Sequence, residues 1–147
     1  MQDLAVRNQI QDIEKKMSKM DGAMFGDCCP LEHTFVDGAY VRKIIMPKGI
    51  LIVSKLHKIT HPYFVMRGEV SVLTETGFQK IKAPYAGITQ AGTKRVLYCH
   101  TEVEWITVHV TKERDLAKIE EEVIAKDYSE LTKEETKFVD AFIGVMK

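Results

Sequence analysis

The sequence predicts a mainly β domain, a single small antiparallel barrel with helices at both ends. Three observations carry that prediction. Between residues 39 and 111, six or seven short runs rich in β-branched residues alternate with Gly-containing turns. On either side of this block the apolar residues recur at three- and four-residue steps, the helical period. The chain has 147 residues, 45% of them hydrophobic and 29% charged, which suits one ordinary globular core.

The elements follow in order. Residues 1–22 form an N-terminal helix on which Leu4, Val6, Ile10, Ile13, Met17 and Met20 share a face, until Asp21-Gly22 stops it. The 10-13-17-20 series also fits a short a/d seam, so this helix packs on the barrel or on another subunit. Residues 23–38 are a connector marked by Gly26, Pro30 and Gly38. The barrel occupies residues 39–111. AYVRKIIM and ILIVSKL flank a turn at Pro47-Lys48-Gly49, and FVMRGEVSVLTETGFQKIKAP holds two strands around the hairpin signal Thr76-Gly77. GITQAG, TKRVLYCH and VEWITVHVT complete it. Residues 112–147 carry two C-terminal helices. Leu116, Ile119, Val123 and Ile124 line the first, and a capping box at Thr132 and Glu135 opens the second.

Charge is unevenly spread. The net charge is zero, yet residues 40–100 hold ten Lys/Arg against Glu69 and Glu75, a net of +8 between flanks of −3 and −5. A basic middle attracts an anion locally, or its lysines pair with the acidic flanks. No apolar run reaches the roughly 18 residues of a membrane span, and the polar, acidic start is unlike a signal peptide. The expected location is therefore cytoplasmic, without a membrane partner. Cys28, Cys29 and Cys99 form no CxxC pair, which argues for reduced thiols and against a four-ligand structural zinc. Cys28 and Cys29 stand near His33, but nothing supplies the orienting group a Cys–His nucleophile needs. Glu102 and Glu104 read as solvated. No phosphate loop, nucleophile elbow or zincin motif is present, and the basic middle lacks the interleaved aromatics of a single-strand nucleic-acid platform.

The run from Gly49 to Gly68 carries the sharpest signal. It reads Gly49, five residues, Lys55, Leu56, His57, three residues, His61, six residues, Gly68. About twenty residues later comes Gln90-Ala91-Gly92-Thr93-Lys94-Arg95. This spacing resembles the two motifs of the cupin superfamily, G(x)5HxH(x)3–4E(x)6G and PxGxxH. The glycines and His57 match, whereas Lys55 and Arg95 stand where the family has metal-binding histidines and His61 stands at its glutamate. The resemblance covers roughly residues 40–110 and implies a double-stranded β-helix barrel. The chain as a whole, including APYAG and TQAGTKRVLY, also resembles small cupin-like proteins of tailed bacteriophages. That likeness implies either a protein of the host cytoplasm or a virion part.

The family geometry would converge Lys55, His57, His61 and Arg95 on one pocket. Strand alternation puts Lys55 on the face of His57, and Arg95 on that of Leu97 and Cys99. Three readings of this pocket stay open. In the first, Lys55 and Arg95 hold the phosphate or carboxylate of an anionic small molecule, such as a nucleotide. His57 and His61 then add hydrogen bonds, and Tyr63, Tyr85, Tyr98 or Trp105 stack on a ring. In the second, His57 and His61, with His100 or His109, ligate Fe, Mn, Ni or Zn in an enzyme, against the repulsion of the two cations. In the third, the terminal helices mediate assembly, as a homo-oligomer or a phage structural part.

Overall fold

The computed structural model describes residues 8, 10, 29–74 and 77–125, with the side chains of 123–125 excepted. Eleven strands and one complete helix lie within those residues. The strands are β1 (Leu31–Val36), β2 (Ala39–Met46), β3 (Leu51–Val53), β4 (Leu56–His57), β5 (His61–Arg67) and β6 (Glu69–Thr74). They continue with β7 (Gly77–Lys82), β8 (Tyr85–Thr89), β9 (Val96–Cys99) and β10 (Val103–Val110). Helix α1 (Leu116–Val123) and strand β11 (Ile124–Ala125) close the series.

Two antiparallel sheets build the barrel. One runs β1-β2-β10-β5-β8, the other β3-β9-β6-β7, and a small ribbon joins β11 to β4. Alternation decides which side chains fill the space between the sheets. Along β10, Val103, Trp105, Thr107 and His109 are buried while Glu104, Ile106 and Val108 are not. Tyr63 and Val65 of β5 and Val70 and Val72 of β6 point the same way, and with Met46, Ile81, Leu97 and Cys99 they make the core. β6 and β7 pair as expected on either side of the turn, from Glu69↔Lys82 to Thr74↔Gly77, with residues 75 and 76 outside the described residues.

Two motif glycines have structural reasons. Gly49 and Gly68 both adopt positive φ, 83° and 97°. At Gly68 the backbone passes so close to the β9–β10 connection that an added Cβ would lie 2.2 Å from the Glu102 carbonyl oxygen.

The mainly β expectation holds, with corrections at its edges. The stretch expected as connector, 23–38, contains β1, because Leu31, His33 and Phe35 alternate with Glu32, Thr34 and Val36 and pair with β2. The first C-terminal helix is shorter than its apolar period suggests. α1 ends at Val123, and Ile124 and Ala125 pair with His57 and Leu56 instead. In the N-terminal segment Asn8 and Ile10 are helical and Ile10 is fully buried. The rest of that helix and the second C-terminal helix lie outside the described residues. No helix among the described residues is long and apolar enough to cross a membrane.

Much of the basic middle is paired with the acidic flanks. Lys43 bridges Glu32 and Glu104, Arg67 meets Glu102, and Lys55 meets Glu120. These pairs lie at or near the surface, where each contributes little stability.

Candidate functional site

A cavity of about 220 Å³ opens between the sheets at the end covered by α1. β2 lines it with Tyr40, Arg42, Ile44 and Met46, and β10 with Trp105, Thr107 and His109. Ile52, Ser54, Lys55, His57, Arg95 and Leu97 come from the β3–β4 stretch and the start of β9. Leu116, Ile119 and Glu120 of α1 form its outer wall. That wall is held by Lys55 Nζ to Glu120 Oε1 at 2.5 Å, Lys58 Nζ to the Glu121 carbonyl at 2.9 Å, and the β4–β11 pairing. Thr111 also donates to Glu122 at 3.0 Å.

Arg95 is the most deeply set cation. Only 6% of it is exposed. Its Nη2 donates to Thr89 Oγ1 at 2.5 Å, and its guanidinium lies 4.9 Å from the Tyr63 ring centre and 5.7 Å from that of Trp105. Tyr63 and Trp105 are themselves stacked at 4.5 Å. An aromatic floor thus holds the fork in place through cation–π contact. Gly87 makes room for that floor, since a Cβ there would meet the Tyr63 ring at 2.6 Å.

Three histidines cluster beside the guanidiniums. The ring of His61 lies 4.7 Å from that of His57 and 4.4 Å from that of His109, and His57 and His109 are 6.3 Å apart. His61 Nδ1 bonds the Ile59 carbonyl at 3.0 Å, which makes Nδ1 the donor and leaves Nε2 with a lone pair. His109 Nε2 pairs with Thr107 Oγ1 at 3.2 Å. His57 Nδ1, His61 Nε2 and His109 Nδ1 are buried without a hydrogen-bond partner. Burial, and after it the other histidines and the arginines Arg95 and Arg42, holds the His57 ring well below its ordinary pKa. Burial and then His61 and Arg42 bring His109 down to about 4. His61 is also lowered, by burial first, against its bond to Ile59. At neutral pH the cluster is uncharged, and the charge of the cavity comes from Arg42, Lys55 and Arg95 against Glu120.

The predicted site residues are brought together in part. Lys55, His57, Arg95 and Trp105 line the cavity, and His61 touches two histidines that belong to the cluster. Lys55 stands at the rim rather than deep inside, 41% exposed, where Glu120 supplies the carboxylate partner that no inward strand position offers. Tyr63 lies under Arg95 as support. Tyr85 is one layer further, tilted against Tyr63 at 6.1 Å and accepting from Gln79. Tyr98 faces out, 43% exposed, and His100 bonds Ser71 at 2.6 Å away from the cavity. Sequence reasoning missed Arg42, Tyr40 and Thr107. Their signal was the alternation of β2 and β10, which places them on the faces of Ile44 and Trp105.

These side chains do not reproduce the full cupin metal-ligand set. Two of the four motif positions are the cations Lys55 and Arg95. The histidine rings meet in stacked and tilted contacts, and among the described residues no group of three or more His, Cys, Asp or Glu side chains is placed to hold a metal ion.

No family model matches the chain, and no curated protein matches it. Solved structures do. A protein provisionally named ethanolamine utilization protein q, from Salmonella typhimurium, aligns with a TM-score of 0.50 at 16% identity, covering 58% of this chain and 72% of that one. A cupin family protein with a double-stranded β-helix fold, from Methanocaldococcus jannaschii, aligns at 0.48 and 13% identity, over 59% and 84%. An acetylacetone dioxygenase from Acinetobacter johnsonii aligns at 0.47 and 17% identity, over 54% of this chain. The match spans 58% of the dioxygenase, little more than half of its length. At such identities the likeness is one of fold. The two-sheet antiparallel topology makes this chain a mainly β barrel.

Proposed function

We propose that this cupin-like barrel binds a small anionic molecule in the cavity under α1. The observation that carries the reading is the presence of Arg42 and Arg95 in the lining of one cavity, with Lys55 at its rim. Glu120 is the one acidic residue among the described lining side chains. An incoming anion would accept forked hydrogen bonds from the guanidiniums. The unpartnered nitrogens of His57 and His109 add further hydrogen-bonding capacity at the same end. Because these rings are neutral, they discriminate by hydrogen bonding, and the arginines supply the attraction.

The test is a thermal-shift series with inorganic phosphate, sugar phosphates and simple carboxylates at constant ionic strength. A ligand present at a hundred times its Kd stabilises the fold by about 2.7 kcal/mol. The expected result is stabilisation by at least one anion class, lost in Arg95→Gln and weakened in Arg42→Gln. Absence of any shift, or equal shifts in both variants and the parent, overturns the reading. A second reading, a divalent metal on His57 and His61, draws support from the three unpartnered imidazole nitrogens. Stoichiometric Fe, Mn, Ni or Zn in the purified protein, lost in a His57→Ala, His61→Ala double variant, would favour it over the anion.

A further inference from the structure

The two sheets of the barrel differ on their outer faces. Alternation along β6 and β7 turns Glu69, Ser71, Lys80 and Lys82 outward, the polar surface expected of an antiparallel sheet with one side in water. The five-stranded sheet departs from that rule. Every one of its strands turns an apolar side chain outward: Val36 on β1, Val41 on β2, Ile106 on β10, Phe64 and Met66 on β5, and Ile88 on β8. Val36, Phe64, Met66 and Ile88 are between 36% and 57% exposed. Ile106 lies at the centre, on the middle strand, opposite Phe64 on one side and Lys43 on the other. We infer that this face is where a second copy of the chain docks, sheet against sheet, to form a two-fold dimer.

The breadth of the patch selects a sheet as its occupant. Strands about 4.8 Å apart make five of them roughly 24 Å wide. A single helix about 10 Å across covers two strands and leaves the others wet. A second sheet packed face to face covers all five. With strands of five to eight residues, the face measures roughly 400 to 600 Å² in projection. The side chains standing on it raise the accessible area toward the roughly 800 Å² per partner of a stable interface. Charge permits self-pairing. Lys43 sits between Glu32 and Glu104, at 3.1 and 3.4 Å, so these charges are already held as one ion-pair cluster within the chain. An apolar patch with its charges matched internally is self-complementary, as a two-fold contact requires. β2, β10 and β5 are each paired on both sides, so association there comes from side-chain burial and not from an added strand. The patch lies on the opposite side of the sheet from the cavity, so it does not depend on what the cavity binds.

Sedimentation velocity of the full chain across the micromolar range tests this, with peroxide oxidation of Met66 followed by mass spectrometry on the same samples. The parent is expected to be a dimer. Phe64→Glu, and Ile88→Lys on the edge strand, should each weaken it at least tenfold while the circular dichroism and Trp105 fluorescence of the fold are kept. Met66 should oxidise several times faster in Ile88→Lys than in the parent. Phe78→Glu, on the outside of the other sheet and 70% exposed, should leave the dimer intact. If Phe64→Glu does not fold, Ile88→Lys decides. A parent that stays monomeric across that range overturns the inference, and protection of Met66 in that monomer would assign the face to the chain's own terminal segments. A dimer that Phe78→Glu disrupts as much as Ile88→Lys does has its contact elsewhere, and the inference falls.

Discussion

Replacing His109 by glutamine should remove a large part of the protein's sensitivity to mild acid. His109 is buried, and its pKa stands at about 4 against an ordinary 6.5 because burial, and then His61 and Arg42, disfavour its charged form. The unfolded chain therefore binds a proton at this ring at a higher pH than the folded chain does. A group of that kind makes stability fall as pH drops from about 7 toward 4, with no further loss once the folded ring is also protonated. The difference caps the effect near 3 kcal/mol, and the part developed between about pH 7 and pH 5 is roughly 1 to 2 kcal/mol after allowing for solvent that reaches the ring. His57 and His61 are shifted in the same direction by the same cause. Trp105, the single tryptophan, reports unfolding from inside the core. Urea unfolding of the parent and of His109→Gln, followed by its fluorescence at the two pH values, gives the number as a difference of differences. The parent should lose roughly 1 to 2 kcal/mol more than the variant on acidification. Equal losses in the two proteins would show that His109 is not held neutral by burial.

Other perturbations separate backbone, packing and surface contributions. Gly68→Ala meets both a φ of 97° and a carbonyl oxygen 2.2 Å from the new Cβ, so a loss above about 2 kcal/mol is expected in denaturant titration. A loss below half that would mean the β9–β10 connection yields freely. Gly87→Ala pushes into the Tyr63 ring and should cost about 1 to 3 kcal/mol. It should also weaken anion binding if the Tyr63–Trp105 floor positions Arg95. Glu120→Gln removes a rim ion pair whose partners are 41% and 54% exposed. It should change stability by no more than about 1 kcal/mol, falling further in high salt, and a larger, salt-independent loss would refute its placement at the surface.

The barrel was legible because alternation is local. VEWITVHV needs no partner to declare that Trp105, Thr107 and His109 share a face. The glycine spacing located the turns, and the backbone dihedrals of Gly49 and Gly68 account for why glycine stands there. Lys55 stands at the cavity rim and not deep inside, which was not legible because its partner Glu120 is 65 residues away and only the tertiary fold brings it in. Arg42 was hidden for another reason. It sits in the run Arg42-Lys43, and adjacent cations look alike until the strand face is known. The register separates them, with Arg42 opposite Thr107 inside and Lys43 opposite Ile106 outside. The early end of α1 was also illegible, since Ile124 continues the helical stripe while the exposed edge of β4 offers backbone bonds that end it.

The outer wall of the cavity has a consequence for the order in which the molecule is made. Residues 116–120 close a space whose other sides come from residues between 29 and 109. During synthesis at about 5 to 20 residues per second, the 11 residues from His109 to Glu120 take about 0.5 to 2 s to emerge. For that interval the nascent barrel has its floor and its cations but no roof. The helix gains its docking surface only after both sheets have formed, since eight residues make a marginal helix alone. The outer wall of the cavity is thus completed after the two sheets, and a chain cut short after Thr111 would keep the sheets and lose that wall.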